Sequence, residues 1–258
     1  MWISKTYSRI AAISLLSLAS AAQLWAQENA GEIDSFNRSL GLEGLGTDLA
    51  SVEREIQHGS PASTPEGPNP DSSKQAPAQK KAPPPPTESF TNLAFHATPA
   101  VTNTVRAYYI SHLNATSVVN PPSYDTLIHR FNERFANYGF STHNVGDTFA
   151  GFLIVAWEIM HNADASNTPA GVRRVRVAVC QLMEKRGKAA RLTNENKQKI
   201  SELLKCVAGL ENEVIIRARQ ANNQAAIQQA QNQLGKMLLN YGINLWQFQL
   251  TDQGFVTG

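Results

Sequence analysis

The sequence predicts an all-α fold, a single helical bundle of about six helices that follows a disordered Pro-rich arm. Three observations predict it. Apolar residues recur at spacings of three and four through six stretches after residue 89. Those stretches open on Ser, Thr, Asn or Pro, and several close on Gly or Asn, the residues that satisfy free helix ends. The apolar–polar alternation of a half-buried strand is nearly absent.

In chain order, residues 1–26 read as a secretory signal peptide. Lys5 and Arg9 form its basic start, Ile10 to Ala22 is an apolar and small-residue run, and Ala26 is the expected last residue. The run is shorter than the roughly 20 residues a membrane span needs. No membrane span is expected once the leader is removed, and the chain is expected to be exported, periplasmic or secreted.

Residues 27–56 form a weakly structured acidic segment, in which Leu40, Leu42, Leu45, Leu49 and Val52 compete with Gly41, Gly44 and Gly46. Residues 57–88 form a Pro-rich linker. Nine of the thirteen prolines fall between 61 and 86, among Ser, Gln and Lys that offer nothing to bury. Residues 89–258 hold the α-helical domain, long enough for one core.

Charge is uneven along the chain. Residues 27–88 carry 5 basic and 10 acidic side chains, and residues 89–258 carry 16 basic and 11 acidic ones. The stretch from Arg173 to Arg191 holds seven basic residues and one acid, Glu184. It lacks the interleaved aromatics of a single-strand binder, so it reads as a solvated helix face and turn, and no nucleic-acid partner is expected.

Within the domain, Thr98-Pro99 opens the first helix, with Val101, Val105, Tyr108 and Tyr109 at helical spacing. Ser123 precedes a second, striped by Tyr124, Leu127, Ile128, Phe131 and Phe135 and stopped by Gly139. Asn144 and Asp147 form the helix cap of a third, a capping box with Asp in place of Glu. Thr168-Pro169 begins a fourth and Thr193 a fifth that runs to about Arg219. Asn222-Asn223 precedes a sixth, closed by Gly242.

The third helix, GFLIVAWEIMHN over residues 151–162, is apolar on nearly every side and therefore central. Its one carboxylate, Glu158, needs a partner or a raised pKa, because an unpaired buried charge costs several kcal/mol. Arg173, Arg174 and Arg176 on the next helix are the expected partners in a structural ion pair. A catalytic acid is the competing reading, since burial raises a carboxyl pKa, but a glycosidase of the usual kind needs a second carboxylate. Glu158-x-x-His161 has the spacing of a di-metal bundle half-site, with His129 and Glu133 as a possible facing pair. The second E-x-x-H is missing, so no metal and no cofactor is expected.

Cys180 and Cys206 are the only cysteines and fall on consecutive helices. In an oxidising compartment they form a disulfide; the alternative is two small buried hydrophobes. Trp246, Phe248 and Phe255 in the tail are expected to pack onto the domain.

Two stretches carry a resemblance: YGFSTHNVGDTFAGFLIVAWEIMHN, from Tyr138 to Asn162, and YGINLWQFQLTDQGF, from Tyr241 to Phe255. With the Thr-Pro helix start between them, residues 90–255 resemble an uncharacterised family of secreted bacterial proteins with a helical domain of unknown function. The resemblance implies a bacterial source, export and a helical domain, and carries no catalytic residue. The functional expectation is a non-enzymatic interaction module of the cell envelope with a protein or envelope partner. The alternative is a cell-envelope hydrolase using Glu158 as its acid.

Overall fold

A computed structural model describes residues 89–113, 120–186 and 189–257. The expected leader (1–26), acidic segment (27–56) and Pro-rich linker (57–88) lie outside the described residues. The domain is mostly helical, as expected. Six α-helices follow one another: α1 (Pro99–Tyr108), α2 (Tyr124–Ala136), α3 (Val145–His161), α4 (Pro169–Arg186), α5 (Asn194–Gln220) and α6 (Gln224–Asn240).

The starts are set locally. Side-chain oxygens of Ser123, Asn144, Thr193 and Asn223 accept backbone N–H groups in the first turns of α2, α3, α5 and α6. Thr98 departs from expectation: it makes no capping bond, and its hydroxyl turns to Gln198 on α5. Gly139 and Gly242 adopt positive φ just beyond α2 and α6, where a side chain would be strained. Asn162 does the same at the end of α3.

All of α3 from Val145 to Met160 is buried. It packs against α5 on one side and α4 on the other. Ser201 Oγ donates to Thr148 Oγ1 at 3.1 Å near one end, and Arg219 reaches Asn162 at 2.7 Å near the other, so α3 and α5 run side by side in the same direction. A second, smaller core joins α1 and α2 to α5, through Val105, Tyr109, Tyr124, Leu127, Cys206 and Leu210. Tyr109 begins a π-helical turn after α1, and its hydroxyl donates to the Pro122 carbonyl.

A strap precedes α1. Phe90, Leu93 and Phe95 are buried in or beside the core. Its backbone is held by side chains: Asn144 Nδ2 donates to the Phe90 carbonyl at 2.8 Å, and Lys197 Nζ to that of Asn92 at 2.5 Å.

The tail forms a β-hairpin that period reasoning does not predict. Strand β1 (Phe248–Thr251) pairs antiparallel with β2 (Gly254–Thr257), Leu250 opposite Phe255. Trp157 Nε1 donates to the Phe248 carbonyl at 2.9 Å, which fixes the hairpin to α3. Close approach to α4 requires Gly171, where an added Cβ would stand 2.0 Å from the Thr251 carbonyl oxygen. Phe248 is fully buried and Phe255 half-buried, as expected. Trp246 is only partly packed, with 41% of its surface exposed.

Candidate functional site

Glu158 sits on the side of α3 that faces α2. Gly151, seven residues earlier and on the same face, already meets Phe131 and Phe135 of α2. Glu158 is 7% exposed as a residue, and its carboxylate accepts from Arg134 Nη2 through both oxygens. The Ala165 N–H adds a third bond to Oε1 at 2.8 Å. Burial pushes the Glu158 pKa above the usual carboxylate range; the Arg134 charge and these hydrogen bonds pull against it.

The expected cations for Glu158 are therefore corrected. Arg173 is half-buried and Arg174 exposed, while Val172, Val175 and Val179 occupy the inner face of α4. Arg176 turns inward toward the other end of α3. Its Nε donates to Asp147 Oδ1 at 2.7 Å and its Nη2 to Oδ2 at 3.2 Å. The guanidinium lies 5.5 Å from the Phe90 ring centroid and 5.9 Å from that of Phe140.

Asn144 caps α3 as expected, accepting from Gly146 N at 2.9 Å and Asp147 N at 3.1 Å. Asp147 does more than a cap residue does. It is completely buried, accepts the Ser141 N–H at 2.6 Å, and receives the Cys180 thiol at 3.4 Å.

That contact also bears on the expected disulfide. Cys180 and Cys206 are both free and buried. Cys180 lies in the main core beside Asp147, whereas Cys206 faces the α1–α2 core. The two thiols lie in different cores, so sharing adjacent helices does not bring them together. Burial pushes both thiols up, Cys206 to about 12 and Cys180 further still.

Helix α5 carries a feature that sequence reasoning missed. Lys197, Gln198, Ser201, Glu202 and Lys205 follow helical spacing and are all buried. Glu202 Oε1 accepts from Thr102 Oγ1 and Gln198 Nε2, each at 2.9 Å. Lys205 Nζ donates to the Thr142 carbonyl at 2.8 Å and stands 5.9 Å from the Phe131 ring centroid. Burial brings the Lys205 pKa down to about 8, against the pull of Glu202, Cys206 and Asp147. The spacing of the stripe was visible, but charged residues at that spacing ordinarily mark a solvated face.

Around Glu158 the arrangement offers little for acid–base chemistry. The acid whose charge acts on it is Asp164, which is exposed and accepts the Ser166 N–H at 2.8 Å, an interaction that holds its pKa below the usual range. His161 is taken up as well. Its Nε2 meets the Leu245 carbonyl at 3.0 Å and its ring stacks on Trp157, with centroids 5.1 Å apart. His129 and Glu133 pair with each other on the exposed face of α2 at 3.2 Å. No group of three or more His, Cys, Asp or Glu side chains gathers as metal ligands among the described residues.

A family model described as a family of unknown function, DUF6683, matches residues 67–258. The chain belongs to this DUF6683 family. The matched region begins inside the Pro-rich linker and takes in every described helix and the hairpin. No curated protein and no solved structure matches the chain.

Proposed function

We propose that this DUF6683 protein is a non-enzymatic interaction module of the cell envelope, exported by its leader and tethered through its Pro-rich arm to a helical domain that binds a protein or envelope partner. The observation that carries the non-enzymatic part is the closure of Glu158: both carboxylate oxygens are engaged by Arg134, a third donor comes from Ala165, and the side chain is nearly sealed from water. A general acid must reach its substrate's leaving atom within hydrogen-bonding distance. This carboxylate spends its acceptor sites on the protein itself. Export is supported by the basic start and apolar run of residues 1–26, and an interaction role by the long Pro-rich spacer.

Two measurements test the reading. Cell fractionation of the full chain, with and without residues 1–26, should move the protein from the envelope fraction to the cytosol when the leader is deleted. Assays of the purified protein on envelope glycans and peptides should show no turnover. Turnover that disappears in a folded Glu158→Gln variant would establish the hydrolase instead.

A further inference from the structure

Residues 27–56 carry seven acids and two bases, a net charge of −5, whereas residues 57–88 carry three of each. The acidic excess of the arm therefore lies wholly beyond the Pro-rich linker. The domain holds an excess of the opposite sign, 16 bases against 11 acids, and part of it is gathered on α4. Arg174, Gln181 and Lys185 are exposed along the outer side of that helix, Arg173 flanks them half-buried, and exposed Arg191 lies in the turn that follows. Glu184 is half-buried on the same helix. Cations elsewhere on the surface are matched by acids: Arg106 by Asp125, Arg130 by Glu213 and Lys199 by Glu195. Arg173, Arg174 and Arg191 make no ion pair among the described residues.

We propose that the acidic segment 27–56 docks on this basic face of its own chain. Charge selects the occupant, and so does the place where the described chain begins. The Phe90 ring lies 5.5 Å from the Arg176 guanidinium, and Thr91–Leu93 touches both α4 and the Ala189–Arg191 turn. Arg173 is one helical turn before Arg176. The arm thus joins the domain at the edge of the basic face. A second copy is a poor occupant, because a two-fold contact would set these cations against themselves. Arg174 and Lys185 stand about 16 Å apart along the helix axis, farther than one phosphate or carboxylate reaches. Acids spaced along a chain, as Glu43, Asp48, Glu53 and Glu55 are, can meet both ends of such a face. Half-buried Val177 and Ala178 between the cations offer an apolar strip to Leu45 and Leu49 of the segment.

Chain length permits the contact. Residues 57–88 can span about 100 Å as an extended Pro-rich chain, while a domain the size of residues 89–258 is about 40 Å across. A tether of this kind holds its segment at an effective concentration on the order of 1 mM. A contact with an intrinsic dissociation constant of about 0.1 mM is then roughly nine-tenths closed. Surface ion pairs of ordinary strength, several together, suffice for that. The inference stands apart from the envelope reading and survives its failure.

Paramagnetic relaxation in the full chain without its leader tests it. A nitroxide attached through Ser51→Cys labels that site alone, because Cys180 and Cys206 are buried. The amide signals of positions 173, 174 and 191 should fall by on the order of half or more, while that of exposed Asn232 on α6 stays. The loss should vanish in about 1 M salt, where the Debye length is roughly 3 Å. It should also vanish with Arg174→Glu and Arg191→Glu together, exposed positions at which circular dichroism should show the fold intact. Adding Glu43→Lys, Asp48→Lys, Glu53→Lys and Glu55→Lys to that variant should bring the loss back. Labelled chain mixed with unlabelled, isotopically enriched chain should give no loss, since the contact is within one molecule. No attenuation, attenuation spread evenly over the domain or indifferent to the charge reversals, or attenuation between separate chains each overturns the proposal.

Discussion

Replacing Arg134 by Ala leaves the Glu158 carboxylate with the Ala165 N–H as its remaining donor among the described residues. Breaking a buried pair by removing one partner costs about 3–5 kcal/mol when both groups are sealed. Here Glu158 is nearly sealed, but the Arg134 side chain is 35% exposed and the pair is partly screened by water. A loss of about 2–3 kcal/mol at pH 8 is therefore expected. The loss depends on pH. Burial raises the folded-state pKa of Glu158 above its unfolded value, and removal of the Arg134 charge raises it further. For such a group, stability is fully present below the unfolded pKa and declines as pH rises through the folded one. The deficit is therefore smaller at pH 4, where most of the unfolded-state carboxyl is protonated, than at pH 8, where the unfolded state is fully ionised. Urea unfolding at the two pH values measures the difference. The double variant Arg134→Ala, Glu158→Gln should recover at least half of the pH 8 loss, because a neutral amide still accepts from Ala165. A deficit equal at pH 4 and pH 8, or a double variant no better than the single one, would refute the account of Glu158 as a charge held by Arg134.

Arg176→Met strands a completely buried Asp147 and should cost about 3–5 kcal/mol in urea unfolding, with much of it regained in Arg176→Met, Asp147→Leu. Lys205 has a folded pKa of about 8 against an ordinary 10.5, so wild-type stability should rise as pH climbs from 8 toward 10.5 and be lower below that window. Lys205→Met should flatten that rise in denaturation curves at pH 7 and 10, and at pH 7 it should match or exceed wild-type stability by about 1–3 kcal/mol. Gly171→Ala drives a methyl into the Thr251 carbonyl and should cost about 1–3 kcal/mol, with faster proteolytic loss of residues 245–257 than in the wild type.

Helix starts were legible in the sequence because a cap is a short-range device. Ser123, Asn144, Thr193 and Asn223 reach N–H groups two or three residues away, so neighbouring residues specify the interaction. The central place of α3 was legible for a related reason: a helix apolar on every side has only one stable environment. The partners of its charges were not. Glu158 pairs with a residue 24 positions before it, and Asp147 with one 29 positions after it. Which arginine meets which acid depends on how α2, α3 and α4 cross and how each is rotated about its axis. Arg174 and Arg176 stand about 200° apart around α4, so the way that helix is turned puts Arg176 inward and leaves Arg174 in water. The same geometry separated Cys180 from Cys206 into two cores, and it buried the charged stripe of α5, whose spacing in sequence is that of a solvated face. The sequence alone determined the class of fold and the ends of its helices, because local hydrogen bonds and apolar period decide them. Only the tertiary structure decided what each buried charge touches, because that is settled by the relative rotation of packed helices, a quantity no run of neighbouring residues contains.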